Sequence, residues 1–287
     1  MSATLVFPRE ASRFARMFAS PGAVVGMVVL VVMVAGAILA PALAPFDWNE
    51  TRVCARLAHP SGQNLFGCDL YGRDIFSRVL YGGRYTLSVG IATVAISLVI
   101  GGLFGTVIGY AGGRTDALGS RAIDVMLGFP PIILAILVVA VLGVGLWNAA
   151  LAVGIAGIPR FARVIRGAAL SLAAREFVEG AHAIGAGRWR VVLRHLLPNL
   201  APTLIVLASL DLGNAVLFTA TLSFLGLGAQ PPAPEWGAML NAGREYIRYA
   251  PWTMFFPGGA LFLAVLAVNL VGDRLSQVLD PRQRGRL

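Results

Sequence analysis

Few side chains in this sequence could take part in covalent chemistry or hold a metal ion. All 23 basic residues are Arg, so the chain lacks the Lys that a phosphate-binding P-loop or a Schiff base requires. Its two Cys and three His form no CxxC or HExxH motif, and His59, His182 and His195 are scattered along the sequence. Ligands of one metal ion usually follow closer spacings. The sequence therefore predicts a chain that is not an enzyme and has neither a metal site nor a nucleotide site of its own.

The composition indicates a chain that is solvated by lipid. Apolar residues make up 57% of the 287 residues, charged residues make up 13%, and the net charge is +9. A soluble domain usually has about 25% charged residues, which it needs to cover its surface. The high apolar content also excludes a disordered chain.

Five stretches with almost no charge are long enough to cross a membrane, which takes about 20 apolar residues. They are residues 17–46, 85–113, 125–159, 195–234 and 249–272, and only Asp211 interrupts the fourth. Arg residues flank the 35-residue stretch 125–159 on both sides. Because Arg marks the cytoplasmic ends of spans, we expect this stretch to be a hairpin of two helices with its turn at 143–148.

These stretches predict an all-α membrane protein with six transmembrane helices and both termini cytoplasmic. An amphipathic N-terminal segment (1–20), a first transmembrane helix (21–46) and an outer loop (47–84) precede a core of five helices (85–282), and 283–287 form a tail. The inside segments of this topology contain 16 Arg and the outside loops 7, as the positive-inside rule requires. In the second span, Gly101, Gly105 and Gly109 repeat every four residues, which favours close helix packing.

The cytoplasmic segment 173–199 is too charged for lipid and too apolar for a solvated loop. Apolar residues recur at helical spacing in two runs, one before and one after a glycine-rich turn at 185–187. These residues are Phe177, Ala181 and Ile184, then Trp189, Val192, Leu193 and Leu196. We predict two short amphipathic helices, with Pro198 ending the second. Their apolar stripe must pack either on the chain's own helices or on another protein.

The same segment resembles the Glu-Ala-Ala loop of binding-protein-dependent importer permeases. Glu179-Gly180-Ala181, Gly185 and Leu197-Pro198 have the spacing of that loop, although Gly180 replaces an Ala of the pattern and His195 an Ile. Residues 66–78, 222–237 and 269–282 are similar to segments of the dipeptide/oligopeptide (nickel) branch. Together the similar segments span about residues 20–282.

The resemblance implies a C-type permease subunit with the type I ABC importer permease fold, located in the bacterial inner membrane. Its partners would be a second homologous permease, two ATP-binding cassette subunits that carry ATP and Mg²⁺, an extracytoplasmic solute-binding protein and the lipid bilayer, with no nucleic acid. The substrate would be a dipeptide or oligopeptide, and nickel chelates, glutathione or opines are alternatives. Contact with the ATPase would come from Glu176, Glu179, Gly180, Ala181, Gly185, Arg188, Leu197 and Pro198.

Two further pairs of residues are candidates for a function. Asp211 is the only ionisable residue deep in a predicted span, and such residues are usually functional. It could face the translocation path and meet a substrate amine, or it could pair with Asn214 or a partner chain.

Cys54 and Cys68 both lie in the predicted outer loop, where an oxidising compartment favours a disulfide. Two free thiols are the alternative, and the family usually has Thr at position 68.

Two other classes of membrane protein compete with the importer permease. A secondary transporter would need ion-coupling acids or internal repeats, whereas the spans contain only Asp211 and show no repeat. A membrane-embedded hydrolase would need a nucleophile with its base, or metal ligands, and the spans contain no GxSxG motif and no paired acids.

Overall fold

The computed structural model describes residues 20–279, and the regular structure within this range is helical. The predicted N-terminal segment, except for Ser20, and the predicted tail lie outside the described residues. The helices are α1 (Pro21–Ile38), α2 (Ala40–Leu43), α3 (Ile75–Ile96), α4 (Gly102–Ala111), α5 (Gly113–Leu127), α6 (Pro131–Leu142), α7 (Leu146–Ala173), α8 (Glu176–Ala183), α9 (Arg188–Val191), α10 (Leu197–Phe224), α11 (Trp236–Gly243) and α12 (Trp252–Leu279).

Five helical stretches of the described chain are long and apolar enough to cross a membrane. They are Pro21–Ile38, Ile75–Ala111, Leu146–Ala173, Arg188–Phe224 and Trp252–Val278. Helices α5 and α6 meet at a bend of 92° and together form a sixth candidate. The all-α architecture that the sequence predicts is confirmed.

The predicted hairpin in 125–159 is also present. Helix α6 ends at Leu142 and α7 begins at Leu146, and Gly143 between them has a positive φ of 87°. The amide of Gly145 donates to the carbonyl of Leu227, 3.2 Å away, which places this turn beside the end of α10. Glycine is favoured here because an L side chain rarely adopts such a φ.

The predicted boundaries of the first two spans need correction. The first helix is interrupted at Leu39 and ends at Leu43 rather than at 46. The outer loop ends at Asp74 rather than at 84, because the Asp74 carboxylate accepts a hydrogen bond from the amide of Ser77 at 2.8 Å. An Asp at this position caps a helix, so α3 begins ten residues before the uncharged stretch.

Arg160, Arg163 and Arg166, which follow the uncharged stretch 125–159, lie within α7 rather than beyond its end. Their charges do not end the helix, since each has a carboxylate partner on a neighbouring helix. The apolar pattern of α7 continues beyond Arg160 through buried Ile165 and Ala169.

The prediction that Pro198 ends the second hairpin helix is also wrong. Helix α9 passes through a π-helical turn, Val192–Leu196, into α10, so that Arg188–Phe224 form one helical stretch of 37 residues. A proline inside an α-helix clashes with the carbonyl four residues earlier. The wider π turn just before Pro198 relieves this clash.

The glycine repeat packs the second span tightly against α7; Gly101 ends a π-helical turn, Ser97–Gly101, and Gly105 and Gly109 lie in α4. A Cβ atom at Gly101 would lie 2.7 Å from the carbonyl oxygen of Ile158, and one at Gly109 would lie 2.7 Å from that of Arg166. Only glycine permits this approach of the two backbones.

The two ends of the bundle differ in what they carry. Residues 176–196 form a second helical hairpin, distinct from the one in 125–159, and only this second one is called the hairpin from here on. It lies at the end of the bundle where α4 finishes and α10 begins, which we call the inner end. Gly26 packs against Leu270, so the start of α1 and the last turns of α12 lie toward this end as well. At the opposite, outer end, Trp252 donates to the carbonyl of Cys68 at 3.3 Å.

Candidate functional site

The hairpin turns through a motif that requires a left-handed residue. Gly185 has a φ of +82° and its amide donates to the carbonyl of His182 at 2.9 Å. The amide of Ala186 donates to the carbonyl of Ala181 at 3.0 Å. These two bonds form a Schellman motif, which satisfies the last carbonyls of α8. The predicted turn at 185–187 is therefore present, and Gly185 is the residue that fixes it.

One side of the hairpin packs on the bundle. Val178, Ala181, Val191, Val192 and Leu196 are buried. They pack in one cluster with Ile165 and Ala169 of α7 and Leu200 of α10. Part of the predicted apolar stripe is thus covered by the chain's own helices.

The other side of the hairpin leaves large apolar side chains in the open. We call this set the exposed hairpin face: Phe177 (39% exposed), Ile184 (86%), Trp189 (62%) and Leu193 (57%). These residues belong to the predicted stripe, and the described chain leaves between 39% and 86% of each exposed. One half of the stripe therefore packs on the chain's own helices, and the other half is exposed and available to another protein. Both alternatives that the sequence left open apply, each to one half.

The other predicted contact residues lie around this face. Glu176 and Glu179 are exposed in the first turn of α8, where a negative charge interacts favourably with the helix dipole. Gly180 and Arg188 are exposed, Pro198 is exposed and Leu197 is partly buried. Ala181 faces the bundle instead.

Near the middle of the bundle, two charges from different helices form a pair. The Arg160 guanidinium of α7 binds the Asp211 carboxylate of α10 through Nη1, and Asn214 lies one turn further along α10. The side chain of Arg160 is 49% exposed, whereas that of Asp211 is 12% exposed. The sequence predicted a substrate amine, Asn214 or a partner chain as the partner of Asp211, and did not predict Arg160.

The sequence interpretation missed Arg160 as a member of this site. Charge alone places the end of the uncharged stretch at Arg160. A signal was available, since Phe161, Ala162 and Ile165 continue a helical apolar pattern beyond it and are all fully buried. Arg160 and Asp211 are each the fifteenth residue of a 28-residue helix.

At the outer end, the structure joins Cys54 and Cys68 in a disulfide, with Cα atoms 6.5 Å apart. This separation is within the range that a disulfide needs. The bridged loop lies over the start of α12 through the contact of Cys68 with Trp252.

A buried carboxylate, which the sequence interpretation also missed, organises the outer end. Glu235 is 2% exposed and accepts hydrogen bonds from the amides of Gly237 and Ala238 at 3.0 and 2.9 Å. The hydroxyl of Thr86 donates to it at 3.1 Å. Burial raises the pKa of Glu235 above its ordinary value. Glu235 thus caps α11 and ties it to α3.

This arrangement is that of a multi-span permease with a hairpin at its inner end. Residues 101–285 match the family described as "Binding-protein-dependent transport system inner membrane component". Residues 10–60 match the "N-terminal TM domain of oligopeptide transport permease C". The chain belongs to the binding-protein-dependent transport system inner membrane component family.

Several curated proteins are similar over most of their length. The dipeptide transport system permease protein DppC of Alkalihalophilus pseudofirmus is 44% identical over 91% of this chain and 86% of its own. The probable D,D-dipeptide transport system permease protein DdpC of Escherichia coli K12 is 44% identical, with 93% and 90% covered. The glutathione transport system permease protein GsiD of Pectobacterium atrosepticum is 44% identical, with 90% and 85% covered.

Among solved structures, the fold resembles a chain of the MetNI methionine ABC transporter in an inward-facing conformation. The TM-score is 0.58 at 22% identity, over 72% of this chain and 98% of that chain. The similarity confirms the type I ABC importer permease fold.

These findings establish the class of this protein. It is a multi-pass inner membrane permease subunit of an ABC importer, and it is a transport subunit rather than an enzyme. In this family the ATPase is on partner chains, and a second permease completes the membrane part.

Proposed function

We propose that this chain forms half of the path by which short peptides enter the cell, and that its hairpin docks on an ATP-binding cassette subunit. The complete importer would contain a second permease, two such subunits that bind ATP and Mg²⁺, and an extracytoplasmic solute-binding protein. This chain would bind no cofactor itself.

The observation that carries the docking proposal is the exposed hairpin face. Ile184 and Trp189 present large apolar surfaces on a segment that also carries Glu176, Glu179 and Arg188, so that it cannot lie in lipid. Exposed apolar patches surrounded by charges mark protein interfaces. Aromatic and aliphatic anchors at the centre of such a patch usually carry most of the binding energy.

The buried side of the hairpin explains how docking on an ATPase subunit would move the membrane-spanning helices α7 and α10. Val178 and Ala181 hold α8 on α7, while α9 continues into α10 without a loop. A displacement of the exposed hairpin face must therefore move these two spans, because packed helices shift as units.

The names of the relatives support the substrate class. Relatives that are 44% identical are named for dipeptides, D,D-dipeptides and glutathione. All three substrates are small molecules with peptide bonds and free carboxylates. Glutathione is the alternative to a dipeptide, because relatives named for the two are equally similar to this chain.

The double variant Ile184→Ala/Trp189→Ala tests the docking surface. Because both side chains are largely exposed, the permease should fold normally but retain at least about tenfold less ATPase subunit on purification. Val141→Ala is a matched control, since Val141 is also 86% exposed but lies beside the outer turn. Retention of the ATPase by the double variant at wild-type levels would contradict the assignment.

The substrate is tested by reconstitution of the complete importer in proteoliposomes. ATP-dependent uptake of a labelled dipeptide is measured in the presence of unlabelled dipeptide or unlabelled glutathione. The compound that reduces uptake more at equal concentration is the preferred substrate. Uptake that neither compound reduces would exclude both as substrates.

A further inference from the structure

The Arg160–Asp211 pair presents a cation, rather than an anion, on the surface of the bundle. The Asp211 carboxylate is mostly buried and is bound by Arg160. Arg160 is half exposed and uses only Nη1 toward Asp211. A guanidinium has five N–H donors, so most of its hydrogen-bonding capacity remains available at the exposed side.

Lipid cannot cover this surface at low cost. Arg160 is at the midpoint of α7, and Asp211 lies 13 residues before the end of the stretch Arg188–Phe224. Both stretches are long enough to cross the membrane, and a charge that faces hydrocarbon well inside a span is expensive. The exposed surface of α1 shows what a lipid-facing helix of this chain looks like. Its exposed residues include Val25, Val28, Val31 and Val32.

The face around Arg160 carries polar side chains as well as the exposed Val164 and Leu217. Asn214 is exposed on α10 directly after the pair, and the hydroxyl of Thr221 lies about two turns further on at the same side of the helix. Polar side chains at membrane depth line a water-filled path or meet a partner helix.

We infer that Arg160 is a substrate-contacting residue of the translocation path, which binds the carboxylate of the peptide in passage. This inference rests on the proposed function, since it names the part of the substrate that the path recognises. A guanidinium binds a carboxylate through two parallel hydrogen bonds, and every peptide with a free C-terminus has such a group.

Asp211 gives the site its low affinity. When the path is empty, the Asp211 carboxylate neutralises the guanidinium, so that no uncompensated charge is left at this depth. When a peptide arrives, its carboxylate must compete with Asp211. A passage site needs this property, because substrate must leave as well as enter.

The test uses the complete importer in proteoliposomes with its solute-binding protein. The neutral double variant Arg160→Gln/Asp211→Asn retains a hydrogen-bonding pair but removes both charges. It should assemble with the second permease and ATPase, and uptake of a dipeptide should fall about tenfold or more. Arg163→Gln/Asp124→Asn is the matched control, since that pair is one turn away on α7 with both side chains more than half exposed. Its uptake should be that of the wild type.

A charge swap separates recognition from structure. Arg160→Asp/Asp211→Arg restores an ion pair with the guanidinium on the buried side, so its uptake should remain as low as that of the neutral variant. Uptake restored to the wild-type rate would overturn the inference, because the pair would then be structural only. Loss of the second permease from the neutral variant, with normal uptake per assembled complex, would also overturn it, since Arg160 would then be an interface residue.

A peptide pair provides the third measurement. A dipeptide and its C-terminal amide, chosen so that the binding protein holds both equally, should differ in uptake through the wild type and not through the neutral variant. If the ratio of dipeptide uptake to amide uptake were the same in the variant as in the wild type, the inference would be contradicted. If the wild-type importer transports no peptide, the proposed function is contradicted instead of the inference about Arg160. The two outcomes are distinguishable, because only the first abolishes uptake by the wild type.

Discussion

The hydroxyl of Tyr110 lies 2.8 Å from Nε2 of His182, and the planes of the two rings are 5° from parallel. Tyr110 is near the inner end of α4, and His182 is in the last turn of α8. This contact joins the hairpin to α4, in addition to α7 and α10, which supply the buried residues that its own buried side packs on. The hairpin is therefore tied to three spans.

Tyr110→Phe should weaken coupling without affecting assembly. The variant keeps the ring contact and loses one hydrogen bond, which is worth about 0.5–1.5 kcal/mol. We expect normal retention of the ATPase subunit and a lower ratio of peptide transported to ATP hydrolysed, as measured in proteoliposomes. His182→Gln should reproduce this effect only in part, because the amide can still bond the hydroxyl. An unchanged ratio in Tyr110→Phe would show that the contact is passive.

Gly185→Val should uncouple transport, because a β-branched residue is strongly disfavoured at a φ of +82°. Uptake should be lost while the permease remains in the membrane. Gly187→Val is the matched control, since Gly187 is two residues away with an extended backbone (φ −66°, ψ 154°) and open space around it. Normal uptake in Gly185→Val would remove the turn from the coupling machinery.

Cys54→Ser/Cys68→Ala should destabilise the outer loop and leave the transport mechanism intact. The cysteines are 14 positions apart, and closing a loop of about 15 residues stabilises by roughly 3 kcal/mol in the chain-entropy model. The melting temperature of the variant should fall, and a reductant should lower that of the wild type but not that of the variant. Ready alkylation of both cysteines in unreduced protein would contradict the pairing.

Glu235→Gln should reduce the pH dependence of stability. The folded state raises the pKa of this carboxyl above its ordinary value of 4.5, so the unfolded chain releases the proton first as pH rises. The stabilising contribution is therefore complete below pH 4.5 and is lost as pH rises through the raised pKa. Melting curves in detergent should be flatter between pH 4.5 and 8 for the variant than for the wild type.

The neighbouring acid Glu245 provides a control for this prediction. It is exposed at the outer end, so Glu245→Gln should leave the pH profile unchanged. A profile of Glu235→Gln as steep as that of the wild type would mean that another group is responsible.

The sequence predicted the elements whose pattern is local. The spans follow from uncharged length, the Gly185 turn from its place between two amphipathic runs, and the packing of Gly101 and Gly109 from their spacing. Each of these signals lies within one helix or one turn. The disulfide was also predictable, because only two cysteines exist and both precede α3.

What the sequence did not predict depends on contacts between distant residues. Arg160 was taken for a boundary because its partner, Asp211, is 51 positions away. Glu235 was overlooked because its burial depends on Thr86, 149 positions earlier. Pro198 was expected to break a helix, and the π turn that accommodates it has no recognisable sequence signal.

The uninterrupted run Arg188–Phe224 has a geometric consequence. At 1.5 Å per residue, its 37 residues extend over about 55 Å, from the cytoplasmic surface to the periplasmic side. Tilting a rigid rod of that length by only about 5° moves one end relative to the other by about 5 Å, which is close to the diameter of a peptide backbone. If the hairpin docks on an ATPase subunit as proposed, a small rotation at the inner end of this helix would be converted into a displacement of several ångströms at its outer end.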